Sequence, residues 1–84
     1  MSVGVQYRGP LNRREEAHLF SWGWPQDWHV IWHIVPISPR AGNPQIEWDV
    51  ETERSSNDHV TYWVKVKNLT DFDMQFEMRY AILN

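Results

Sequence analysis

Apolar and polar residues alternate at every second position through most of this chain, the spacing of strands with one buried face. The clearest run sets Val60, Tyr62, Val64 and Val66 against His59, Thr61, Trp63, Lys65 and Lys67. A second run sets Phe72, Met74, Phe76, Met78, Tyr80 and Ile82 against Asp71, Asp73, Gln75, Glu77 and Arg79. Between them Asn68-Leu69-Thr70 reads as a three-residue hairpin loop. That hairpin places Lys67 opposite Asp71, Lys65 opposite Asp73, Val64 against Met74 and Tyr62 against Phe76, a register that keeps both apolar rows on one face and pairs opposite charges.

Upstream, Trp28, Val30, Trp32 and Ile34 share a face, with His29, Ile31, His33 and Val35 on the other, until Pro36. Both faces are apolar enough to predict a central strand. The turn-rich stretch Ser38 to Pro44 leads into Ile46, Trp48 and Val50, which alternate with Glu47, Asp49, Glu51 and Glu53. Val3, Val5 and Tyr7 indicate a first strand ending at Gly9-Pro10. Residues 12–22 are ambiguous: Arg13 to Leu19 favour a helix capped by Asn12, but His18, Phe20 and Trp22 alternate, and a strand over about residues 16–22 fits the rest better. The expected fold is all-β: a small antiparallel β-sandwich of about six strands, forming one domain over residues 1–84.

At 84 residues a single core is already small for its surface. The chain has no cysteine and six tryptophans, so disulfides, thiolate chemistry and Cys-type zinc sites are excluded, and stability falls to aromatic packing. A formal charge of -3, with no cluster of Lys and Arg, argues against nucleic acid as a partner. No apolar stretch is long enough for a membrane helix, and no membrane partner is expected. Met1-Ser2-Val3-Gly4 lacks the features of a signal peptide, which points to the cytoplasm if the chain is complete.

Asp58-His59-Val60-Thr61-Tyr62-Trp63-Val64 resembles the penultimate strand of immunoglobulin-like sandwiches, with Val64 where that family has a cysteine. The resemblance covers these seven residues and one tryptophan. It implies an immunoglobulin-like Greek key in which Tyr62 forms a corner near an inner tryptophan, Trp32. It implies a superfold and no particular activity.

The residues that could carry chemistry are few. His29 and His33 lie four apart on a strand, about 13 Å, too far to share one metal ion. Glu47, Asp49, Glu51 and Glu53 form a straight carboxylate row, a pattern of a solvated edge face and not of converging calcium ligands. No serine sits in a nucleophile elbow, no glycine-rich phosphate loop precedes a helix, and no carboxylate pair is singled out for glycoside hydrolysis. No catalytic residue, metal site or cofactor is therefore expected. Asn68-Leu69-Thr70 matches a glycosylation acceptor, but Asn68 reads as a turn residue that tolerates unusual backbone angles.

Aromatic residues give the best lead. Trp28, Trp32 and Trp48 share faces with Val and Ile and are expected in the core. Trp22 and Trp24 flank Gly23 and run into Pro25-Gln26-Asp27, where a strand gives way to a loop. Paired indoles beside an amide and a carboxylate suit sugar binding or a protein interface. Trp63 falls on the face opposite the Tyr62 row, expected beside Gln75 or Glu77. The expected function is a non-enzymatic binding module with carbohydrate as the leading ligand class and Trp22, Trp24, Gln26, Asp27 and Trp63 as ligand-binding residues. The alternative is a structural protein that forms a homo-oligomer, or pairs with a protein partner, through exposed tryptophans and strand edges.

Overall fold

A computed structural model describes residues 1–37 and 40–84. Six antiparallel strands follow in order: β1 (Ser2–Leu11), β2 (Glu16–Pro25), β3 (Val30–Pro36), β4 (Ile46–Arg54), β5 (His59–Asn68) and β6 (Met74–Ile82). They form two three-stranded sheets, β1-β6-β3 and β2-β5-β4. The segment read as helix or strand is strand, and it continues past Trp22 to Pro25. The first strand likewise runs through Gly9-Pro10 to Leu11.

The sheets face each other across one core. Val60, Tyr62, Val64 and Val66 of β5 are buried against Met74, Phe76 and Met78 of β6, with Leu11, Trp32 and Ile34 closing the layer. Each such side chain contributes about 1.5–3 kcal/mol on burial, which is why the even-numbered rows of β5 and β6 govern the packing.

β5 and β6 do not form the expected hairpin. β5 pairs with β2 and β4, and β6 pairs with β1 and β3. Alternation fixes which residues point inward, and a hairpin and an arch between opposed sheets satisfy it equally. The arch is selected by what holds it. Asn68, fully buried, donates from Nδ2 to the carbonyls of Leu11, Asn12 and Phe72 at 3.2, 3.1 and 2.9 Å. Its Oδ1 accepts from the Thr70 amide and hydroxyl at 2.8 and 2.7 Å. Asn68 is thus a buried hub joining the β5–β6 arch to the β1–β2 turn, and it does not adopt a positive φ; among the described residues Arg14, at φ 58°, is the non-glycine residue that does. Asp71 and Asp73 meet Arg14 and Arg13 of the β1–β2 turn at 2.9 and 3.7 Å instead of the lysines of β5.

Three further expectations are corrected. β3 lies at a sheet edge, not in the centre. Trp28 and Trp48 are exposed, whereas Trp32 is buried. Trp28 precedes β3 and packs edge-on against Trp24 at 6.1 Å, while Trp48 sits on edge strand β4, which the facing sheet covers poorly. Tyr62 and Trp32 do approach, with ring centroids 5.7 Å apart, but from opposite sheets.

Candidate functional site on the outer face of the β2-β5-β4 sheet

β5 is the middle strand of its sheet, so its outward residues are flanked on both sides. Lys67 lies opposite Glu16 and Glu47, Lys65 opposite His18 and Asp49, and Trp63 opposite Phe20 and Glu51. The carboxylate row of β4 therefore borders the lysine row of β5, and Trp63 has these neighbours instead of Gln75 or Glu77. The Phe20 and Trp63 rings pack with centroids 5.2 Å apart and an interplanar angle of 32°. The Trp63 indole N–H donates to Glu53 Oε1 at 2.6 Å, which fixes the ring's tilt. Phe20 and Trp63 are exposed, with Trp63 44% accessible. Thr61 is buried although it belongs to the outward row, a sign that large side chains cover this part of the sheet.

Beside Trp63 runs an open groove of about 390 Å³, walled by His18, Asp49, Glu51 and Lys65. Its wall offers an aromatic ring, two carboxylates that accept hydrogen bonds, an ammonium that donates them, and an imidazole held by Glu16 at 3.0 Å. Among the described residues Asp49 and Glu51 form no ion pair, so their oxygens stay open to a ligand.

The expected cluster of Trp22, Trp24, Gln26 and Asp27 is divided. Strict alternation puts both tryptophans on one face, but the register shifts by one residue between Ser21 and Trp24. Gly23, at φ +82°, takes the left-handed conformation that such a bulge uses. Trp22 is left in solvent, 74% accessible, whereas Trp24 turns inward and is 9% accessible. Its indole N–H donates to Ser21 Oγ at 2.9 Å, and its ring packs edge-on against Trp32, Tyr62 and Tyr80 at 5.4–6.2 Å. Trp24 is thus a core residue, closed to any ligand that does not unfold the sheet.

Gln26 and Asp27 lie at one end of the sandwich. Gln26 Oε1 accepts from Arg54 at 2.6 Å, and the Asp27 carbonyl accepts from Asn84 at 3.1 Å. Pro25 lies opposite His59, four residues along β5 from Trp63, a distance of about 13 Å. Gln26 and Asp27 therefore do not share the groove.

The same end gathers Ser56, Asp58 and His59. Ser56 Oγ donates to Asp58 Oδ1 at 3.0 Å, and the same oxygen lies 2.8 Å from His59 Nδ1. These bonds, His59 first, hold the Asp58 carboxyl below its ordinary pKa. Both partners engage the carboxylate, whereas nucleophile activation requires a serine bonded to the histidine. Among the described residues, no group of three or more His, Asp or Glu side chains is placed to hold a metal ion.

Sequence reading missed Phe20, His18, Glu51, Glu53 and Lys65 as parts of one site. Their outward parity was visible; their adjacency depends on β2 and β4 flanking β5. An isolated glycine between two tryptophans of a strand was the available sign of the bulge. Fold and groove together define a small all-β sandwich with an aromatic and carboxylate surface on one sheet. No family model, curated protein or solved structure matches the chain.

Proposed function

We propose that this chain is a non-enzymatic binding module whose ligand is a carbohydrate, held on the outer face of the β2-β5-β4 sheet. The observation that carries the reading is the Trp63 ring, packed on Phe20, at the wall of a groove that carboxylates, an ammonium and an imidazole also line. An apolar ring takes the C–H face of a sugar, while Asp49, Glu51 and Lys65 reach its hydroxyls. Trp22, further along the outward row of β2, extends the aromatic strip. Trp24 supports the sheet from within, and Gln26 and Asp27 brace the end of the sandwich.

A non-enzymatic role agrees with the open groove, in which water is not excluded, and with the Ser56-Asp58-His59 geometry. The test is a glycan array followed by titration calorimetry on the best glycan. Trp63→Ala is expected to weaken binding about two- to tenfold, in line with about 0.5–1.5 kcal/mol for an aromatic contact, with Glu51→Gln weakening it less and Gln26→Ala leaving it unchanged. An array blank for the wild type overturns the reading. If Trp63→Ala instead lowers the solution mass, the face is a protein interface.

A further inference from the structure

We infer that β1 is a pairing edge for a second copy of this chain, with two β1 strands meeting antiparallel about a two-fold axis at Gly4. This is independent of the carbohydrate reading, because it uses the other sheet. Two three-stranded sheets leave four strand edges, β1 and β3 in one and β2 and β4 in the other. Unpaired edges offer free N–H and C=O groups to any matching strand, and charge, proline or bulges block such pairing.

Each of the other three edges carries blocking devices. Two β4 strands paired about Val50 would set Glu47 against Glu53 and Asp49 against Glu51, like charges face to face. The edge of β3 has the Trp48 ring 6.0 Å from His33 and ends at Pro36. β2 begins at Glu16 and is interrupted by the Gly23 bulge before Pro25. β1 is different over its first half. Ser2-Val3-Gly4-Val5 carries no side-chain charge, and its blocking devices, the register shift at Gln6 and then Pro10, come afterwards.

Pairing about Gly4 sets Val3 of one copy opposite Val5 of the second, just short of the bulge at Gln6. Val3 and Val5 lie outward, opposite Ala81 and Arg79 of β6, on the face that also exposes Ile31. Joining two copies therefore merges two apolar strips and makes one six-stranded sheet, β3-β6-β1-β1-β6-β3. An isologous contact of this kind closes at two copies, because β1 is then no longer an edge.

The register makes the test specific, since the chain has no cysteine of its own. Directly opposed Cβ atoms lie about 4.5–5.5 Å apart and diagonal neighbours about 7–8 Å, while a disulfide needs roughly 3.5–4.5 Å. Mixing Val3→Cys chains with Val5→Cys chains under mild oxidation is expected to give the mixed disulfide dimer well above either homodimer. In light scattering, the wild-type mass is expected to rise towards two chains as concentration approaches about 1 mM. The Val3→Lys/Val5→Lys variant, with lysines opposed at both pairs, is expected to remain monomeric with an unchanged circular dichroism spectrum. A wild type monomeric at that concentration, a dimer that survives the double lysine variant, or homodimer disulfides formed as readily as mixed ones would each overturn the proposal.

Discussion

Asn68→Ala tests whether the β5–β6 arch is held by one buried amide. The wild-type side chain donates to three carbonyls and accepts from two groups of Thr70. After truncation Phe72 O keeps the Thr70 hydroxyl at 3.1 Å and Asn12 lies at the surface, which leaves the Leu11 carbonyl and the Thr70 amide without these partners. A buried polar group deprived of its bond costs about 1–3 kcal/mol, so two such groups give about 2–6 kcal/mol. A domain of this size has a total stability on the order of 4–13 kcal/mol. Asn68→Ala is therefore expected to remove a large share of it and to lower the melting temperature by at least about 8 °C.

The assay is urea unfolding followed by tryptophan fluorescence, with the midpoint shift read at constant slope. Asn68→Asp adds a sign test. It keeps the acceptor, loses both amide donors and sets a carboxylate against three carbonyl oxygens, which favours the neutral acid in the folded state. Its folded pKa then lies above the unfolded value of about 3.9, the native state binds more protons, and stability falls as pH rises through that interval. Asn68→Asp is expected to be less stable than Asn68→Ala at pH 7 and to recover towards it near about pH 4. An Asn68→Ala midpoint equivalent to within about 0.5 kcal/mol of the wild type, the range of ordinary surface changes, would refute the assignment of the arch to this residue.

Two further outcomes follow from close contacts and from charge. A Cβ on Gly4 would lie 2.6 Å from Tyr80 Oη, and that ring is wedged against Trp24 and Trp32, so Gly4→Ala is expected to cost about 1–3 kcal/mol in chemical denaturation. Gly9→Ala meets the Tyr7 ring instead, which is partly exposed and packs against Phe76 at 5.7 Å, and displacing it is expected to cost about 0.5–1.5 kcal/mol. Arg14 lowers the Asp71 pKa by hydrogen bond and charge, so this pair's stabilisation is present above the ordinary carboxylate pKa and lost as pH falls through the depressed one. Asp71→Asn is expected to flatten that acid limb of the melting-temperature profile, and Arg14→Gly, which relieves the positive φ, to be more stable than Arg14→Ala by about 1 kcal/mol.

The strands were legible because a period of two is imposed by burial, and every alternating run became a strand. Their partners were not, since parity is shared by all arrangements that bury the same rows. Asn68-Leu69-Thr70 looks like a hairpin loop locally, and what makes it an arch is the carbonyls of Leu11 and Asn12, from a distant part of the chain, converging on one amide. Trp24 was misplaced for a local reason: one residue inserted at Gly23 reverses the parity of everything after it. Trp28 and Trp48 share faces with Val and Ile, which alternation alone assigns to the core, and their exposure reflects the strand end and edge at which they stand. Trp63 faces outward as the alternation of its own strand requires, whichever strands flank it.

The arch also decides which charges meet, and with them the character of the candidate site. A β5–β6 hairpin would have paired Lys65 and Lys67 with Asp73 and Asp71. In the observed fold Arg13 and Arg14 take those aspartates, clamping the β1–β2 turn to the arch. The two lysines stand between Glu16 and His18 on one side and Glu47 and Asp49 on the other. That column of positive charge ends at Lys65, and the next outward residue of β5 is Trp63. Glu51 therefore faces an indole instead of an ammonium, and Glu53 takes the indole N–H. The acidic row is balanced along half its length and left open along the other half, where the aromatic pair stands. Hydrogen-bond acceptors beside a fixed ring are produced there by strand order, so a change that restored a hairpin register would abolish the groove without altering any residue that lines it.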